Sequence, residues 1–142
     1  MSDASRRLAG WLLVLLPTAV FGGASLLSMI VGQAPGYLDN QVRQDLWRAG
    51  HAHAAVLLVL SLVLLRYVDE ANLSPAWRWV ARSGVPLAAV LMPAAFFLSV
   101  LSPEATEPNA LIYLAFVGAA CIVTAILTLG IGLLRVPRGG IA

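Results

Sequence analysis

The segment Arg43-Gln44-Asp45-Leu46-Trp47-Arg48-Ala49-Gly50-His51-Ala52-His53 holds the residues best equipped for chemistry in this chain. Imidazole ligates transition metals and haem iron and exchanges protons near neutral pH. Spacing limits its use here. Side chains two positions apart on a helix point about 200° from each other. His51 and His53 therefore cannot chelate one metal as an i, i+4 pair does. One faces the bundle, and the other is left for a loop, another subunit or the lipid headgroups. Asp45, Arg48 and His51 follow one another at i, i+3, which allows a charge relay along one face. Three readings follow: anchors hydrogen-bonded at a helix start, histidine ligands to a transition metal or haem b, or a proton-transfer path.

Other residues belong at similar depth. Ser25 and Ser28 in a first helix, Ser99 in a third and Tyr113 in a fourth can line one polar pocket with Arg43, Asp45 and Arg48. Serines also serve close helix packing. Met29 is the intramolecular choice for a second axial haem ligand, and a symmetric homo-oligomer could supply a histidine instead. Methionine in an apolar helix, Met92 included, is more often filler. Gly118, Cys121, Ala125, Thr128 and Gly132 recur at three- and four-residue steps and read as a packing seam.

The elements that must position these residues are four apolar helices. The chain is 60% hydrophobic and 11% charged, with a mean hydropathy of +0.86. A soluble domain carries about a quarter charged residues, so this surface is built for lipid. The expected fold is an all-α integral membrane four-helix bundle in a single domain, residues 1–142. Its spans lie near residues 8–31, 43–67, 80–101 and 109–134. The first is longer than the apolar core of a signal peptide and lacks a small-x-small cleavage site, so it is expected to be retained. Pro17 is expected to kink it. Ser74 as N-cap and Pro75 at the first helical position start the third helix, and Arg135-Val136-Pro137-Arg138 stops the fourth.

All nine basic residues are arginine, and their placement sets the direction. Arg6, Arg7, Arg66, Arg78, Arg82, Arg135 and Arg138 share one side. Arg43 and Arg48 stand on the other with Asp39, Asp45, Glu104 and Glu107, the last two on a solvated loop. Arginine excess marks the cytoplasmic face, so both termini are expected inside, in a bacterial inner membrane. The basic residues form no stripe with interleaved aromatics, which argues against nucleic acid as a partner. Cys121 has no second cysteine to pair with.

Trp47-Arg48-Ala49-Gly50-His51-Ala52-His53-Ala54, followed by an apolar helix, resembles the second transmembrane helix of haem-copper oxidase catalytic subunits. In that superfamily a histidine near the outer end of an out-to-in second helix ligates low-spin haem. The resemblance implies His51 or His53 as the counterpart and does not choose between them. It covers the first two helices, and the chain has no other histidine to supply copper ligands or a second haem ligand. Oxygen or nitric oxide reduction by this chain alone is therefore not implied. Arg82-Ser83-Gly84-Val85-Pro86 and Met92-Pro93-Ala94 resemble small four-span membrane proteins of high-GC bacteria, which implies no activity.

The leading expectation is an outward-facing His/Arg pocket that binds haem or a metal. Its rivals are a non-catalytic accessory or assembly subunit of a larger membrane complex, and a small transporter or ligand receptor. No nucleophile–base pattern or phosphate-binding loop points to an enzyme of another class.

Overall fold

The structure, a computed structural model, describes residues 1–135. Among them are four long helices: α1 Asp3–Val31, α2 Gln41–Tyr67, α3 Pro75–Leu98 and α4 Leu114–Leu134. A 3₁₀ turn, Ala110–Tyr113, leads into α4. All four are long and apolar enough to cross a membrane. Exposure runs opposite to that of a water-soluble protein. Trp11, Phe21, Phe116 and Leu134 face outward, while many of the fully enclosed positions are alanines, among them Ala88, Ala95 and Ala125. Lipid is as apolar as leucine, so close backbone approach, rather than burial of large side chains, holds such helices together.

Side-chain caps set three of the four helix starts. Ser2 accepts from the Ser5 N–H at 3.3 Å, and Asn40 from the Arg43 N–H at 3.0 Å. Ser74 accepts from the Trp77 N–H with Pro75 at the first helical position, as expected. α1 stays helical through Pro17, and α3 through Pro86 and Pro93. α3 ends at Leu98, short of the expected residue 101, because other elements take its last carbonyls. Trp47 Nε1 donates to the Phe97 carbonyl at 3.3 Å, and Asn109 Nδ2 to that of Leu98 at 3.2 Å.

The expected seam of α4 is an internal one. A Cβ on Gly84 would meet Ala125 Cβ at 2.7 Å and the Cys121 carbonyl at 2.9 Å. Gly118 faces Met92 and Gly132 faces Leu73 just as closely. α1 is held by much less. Its buried residues, Ser5, Leu12, Ala19 and Leu26, recur every seventh position and form one narrow line.

Polar contacts tie both ends. The Asn72 N–H donates to the Gly132 carbonyl at 3.0 Å, and the Ser2 N–H to Asp69 at 2.7 Å. The α2–α3 loop therefore sits with the amino terminus and the end of α4. At the other end Asn40 Nδ2 donates to the carbonyls of Pro103 and Ala105, each at 2.9 Å, joining the two remaining loops. Gly36, at φ +70°, lets the chain turn against Pro103, where a Cβ would lie 2.5 Å from the proline Cβ. Arg138, counted in the charge balance, and Pro137 lie outside the described residues.

Candidate functional site

α2 runs between α1 and α3, and its two histidines turn to opposite flanks. His51 lies against α1. Its ring atoms Cε1 and Nε2 are 3.0 Å from where a Gly23 Cβ would stand, and Nδ1 is 3.6 Å from that of Gly22. The glycine pair is thus a notch filled by the imidazole. His53 turns toward α3, where its ring centroid sits 5.1 Å from that of Phe96. Its Nδ1 is 2.8 Å from the Ala49 carbonyl. A carbonyl only accepts, so Nδ1 carries a proton and donates it to Ala49. The half-turn separation read from the sequence is present, but neither histidine is left for the headgroups.

Beside His51 a groove of about 310 Å³ opens between α1 and α3, with α2 as its floor. Leu15, Thr18 and Gly22 of α1 form one wall, and Val90, Pro93 and Phe97 of α3 the other. Leu15, Thr18 and Val90 are exposed, so the groove opens sideways toward the bilayer. His51 is its single ionisable side chain. Thr18 Oγ1 donates to the Leu15 carbonyl of its own helix at 2.7 Å. Pro93 has no N–H to offer the Ala89 carbonyl, and both residues line the wall. The groove thus combines apolar walls with an imidazole and a carbonyl that lacks its usual helical donor.

The remaining expected pocket residues do not assemble there. Arg43 is 91% buried and acts as a clamp, donating to the carbonyls of Gly36 at 2.8 Å and Leu101 at 3.0 Å. Its guanidinium carbon lies 4.0 Å from the centre of a Trp47 ring. A buried cation needs such acceptors, and loop carbonyls near a helix end supply them. The relay is not formed: Asp45 accepts from Gln41 at 2.8 Å, and Arg48 is exposed with no hydrogen-bond partner among the described residues. Ser25 and Ser28 donate to the carbonyls of Phe21 and Ser25, at 2.9 and 2.7 Å. A hydroxyl in an apolar helix satisfies itself most cheaply on the preceding turn. Ser99 is buried at the end of α3, and Tyr113 is exposed beside Phe116.

Among the described residues no three His, Cys, Asp or Glu side chains gather. His51 sits against α1 at Gly22-Gly23, and Met29 lies about 9 Å farther along that helix.

A second polar cluster, which no local sequence pattern signals, pins α1 at the end holding the amino terminus. Asp69 accepts from Arg82 at 2.9 Å and from the Ser2 N–H, while Arg82 Nε also donates to Ser5 at 3.0 Å. Partial burial pushes the Asp69 carboxyl up, but the Ser2 amide and the surrounding hydroxyl and guanidinium donors outweigh it and hold it at about 2. These partners are 67 to 80 residues apart in some pairs, which no local pattern signals.

No family model, curated protein or solved structure matches this chain.

Proposed function

We propose that this chain is a membrane-resident binding protein. It takes a lipid-soluble molecule with one hydrogen-bonding group from the bilayer into the groove between α1 and α3. The observation that supports this is the groove itself, with its apolar walls, sideways opening and lone imidazole. Ligand sites are commonly apolar cavities of about 300–1,000 Å³ with a few placed polar groups, and this one is at the small end. His51 supplies a donor or an acceptor according to its tautomer, and the Ala89 carbonyl a second acceptor. A hydroxyl- or carbonyl-bearing ligand suits that pair. The reading assigns no reaction. Its setting is a bacterial inner membrane with both termini cytoplasmic, supported by the arginine excess at the end holding the termini.

The test is photolabelling of the reconstituted protein with a long-chain alcohol carrying a diazirine. Labels should concentrate on residues 15–22 and 89–97, and Ala54→Phe, which fills the groove floor, should cut them several-fold. His51→Phe should abolish the preference for the alcohol over its methyl ether. Labels spread evenly over lipid-facing positions such as Val20, Val56 and Leu127 would refute the reading. A Soret band lost in His51→Ala or His53→Ala would replace it with haem binding.

A further inference from the structure

A second groove, of about 300 Å³, lies at the other end of the molecule and between a different helix pair. Leu73 and Trp77 at the start of α3 line it, with Thr128, Ile131 and Arg135 at the end of α4. From Thr128 to Arg135 is about 10 Å along the axis. The groove therefore runs from the helix ends, where headgroups lie, into the depth of the acyl chains. Trp77 is 54% exposed at its mouth, and indole rings favour that level of a bilayer.

Charge at this end is unbalanced. Asp3, Glu70 and Asp69 are engaged by Arg6, Arg66 and Arg82. Arg78, next to Trp77, donates to the carbonyls of Ala71 and Leu73, bringing a second guanidinium beside the groove. Arg135 has no acidic partner among the described residues and stands over apolar walls. An arginine that only capped α4 would favour the helix dipole and would need no such groove beneath it.

We propose that this groove binds an anionic phospholipid. The phosphate meets the Arg135 guanidinium, whose fork of donors matches phosphate oxygens. The Trp77 indole lies beside the glycerol and ester region, and one acyl chain runs along Ile131 and Thr128. The site is independent of the His51 groove and neither requires nor supports the ligand proposed there.

The deciding experiment is native mass spectrometry of the full chain released from micelles containing phosphatidylglycerol and phosphatidylcholine with identical acyl chains. The intact protein should retain phosphatidylglycerol about fivefold over phosphatidylcholine, the scale of one arginine at a charged lipid surface. Arg135→Gln should remove the preference, Arg135→Lys should keep part of it, and Ile131→Trp, which fills the groove, should reduce retention of both lipids. Arg7→Gln, an exposed arginine at the same end, should change nothing. Thermal unfolding of each variant separates lost binding from lost folding. Equal retention of the two lipids by the intact protein would overturn the proposal, as would an unchanged preference in Arg135→Gln. Displacement of the lipid by millimolar inorganic phosphate would also overturn it, by showing a bare anion site.

Discussion

The α3–α4 pair and the α1–α2 pair solve helix association differently. α3 and α4 meet through Gly84 against Ala125 and Cys121 and through Gly118 against Met92, with backbones close enough that an added methyl group collides. α1 meets α2 along one heptad line, through His51 in the Gly22-Gly23 notch, and is pinned at its amino-terminal end by Asp69 and Arg82. The first arrangement leaves no space along its seam, and its grooves lie to the side of that seam or at the helix ends. The second leaves a groove, because one narrow seam cannot close both flanks of a helix. Rigidity therefore follows the tighter contact, while the looser one leaves a groove floored by a third helix.

Breaking the tight pair should have the largest effect. Gly84→Leu drives a side chain into Ala125 and the Cys121 carbonyl, where backbone must move, and should cost about 3 kcal/mol or prevent folding. Unfolding of the purified variant in mixed micelles measures it. Arg43→Ala comes next. It strips two loop carbonyls of their donor and should cost about 2 kcal/mol, with the outer ends of α2 and α3 exchanging amide hydrogens faster. Arg43→Lys should recover only part, since one ammonium does not reproduce the guanidinium fork.

The pin on α1 should respond to acid. The folded pKa of Asp69 lies near 2, below its ordinary 3.8. Its contribution is therefore complete above about pH 4 and is lost as pH falls through about 2. Allowing for solvent screening at a helix end, that contribution is about 1 kcal/mol. Hydrogen exchange in residues 3–12 should accelerate over that window, and Asp69→Asn should remove the dependence. An unchanged profile in Asp69→Asn would assign the acid response to other carboxylates.

The smallest effect belongs to the notch. Gly23→Ala presses on the end of a side chain that can turn aside, so the loss should stay near 1 kcal/mol. Combined with His51→Ala, the cost should largely vanish, giving a coupling energy of about the same size. Additive costs would mean that the notch accommodates something other than the imidazole.

Several features of the site were legible from residue order. Two histidines half a turn apart had to serve different neighbours, and they do. The stripe of small residues on the fourth helix reads as a packing surface, which is what α3 meets. Arg43 shows where local reading stops. Its position suggested a pocket lining, while its actual partners, the Gly36 and Leu101 carbonyls, come from two separate loops. Ser25 and Ser28 were misplaced for a simpler reason. The carbonyl one turn back competes for each hydroxyl. Nothing in the order of residues marks Gly22-Gly23 as a seat for His51.

Composition and the order of apolar and charged residues are enough to demand four membrane-length helices. Backbone groups in lipid have no partner but each other, and each helix satisfies them within itself. Their caps at Asn40 and Ser74 are equally local. Which flank of α2 receives α1, that a groove remains beside His51, and that Asp69 reaches Ser2 and Arg82 are tertiary outcomes. They depend on how helices of different width and seam fit together, and contacts between residues 67 apart leave no trace in any short window of sequence.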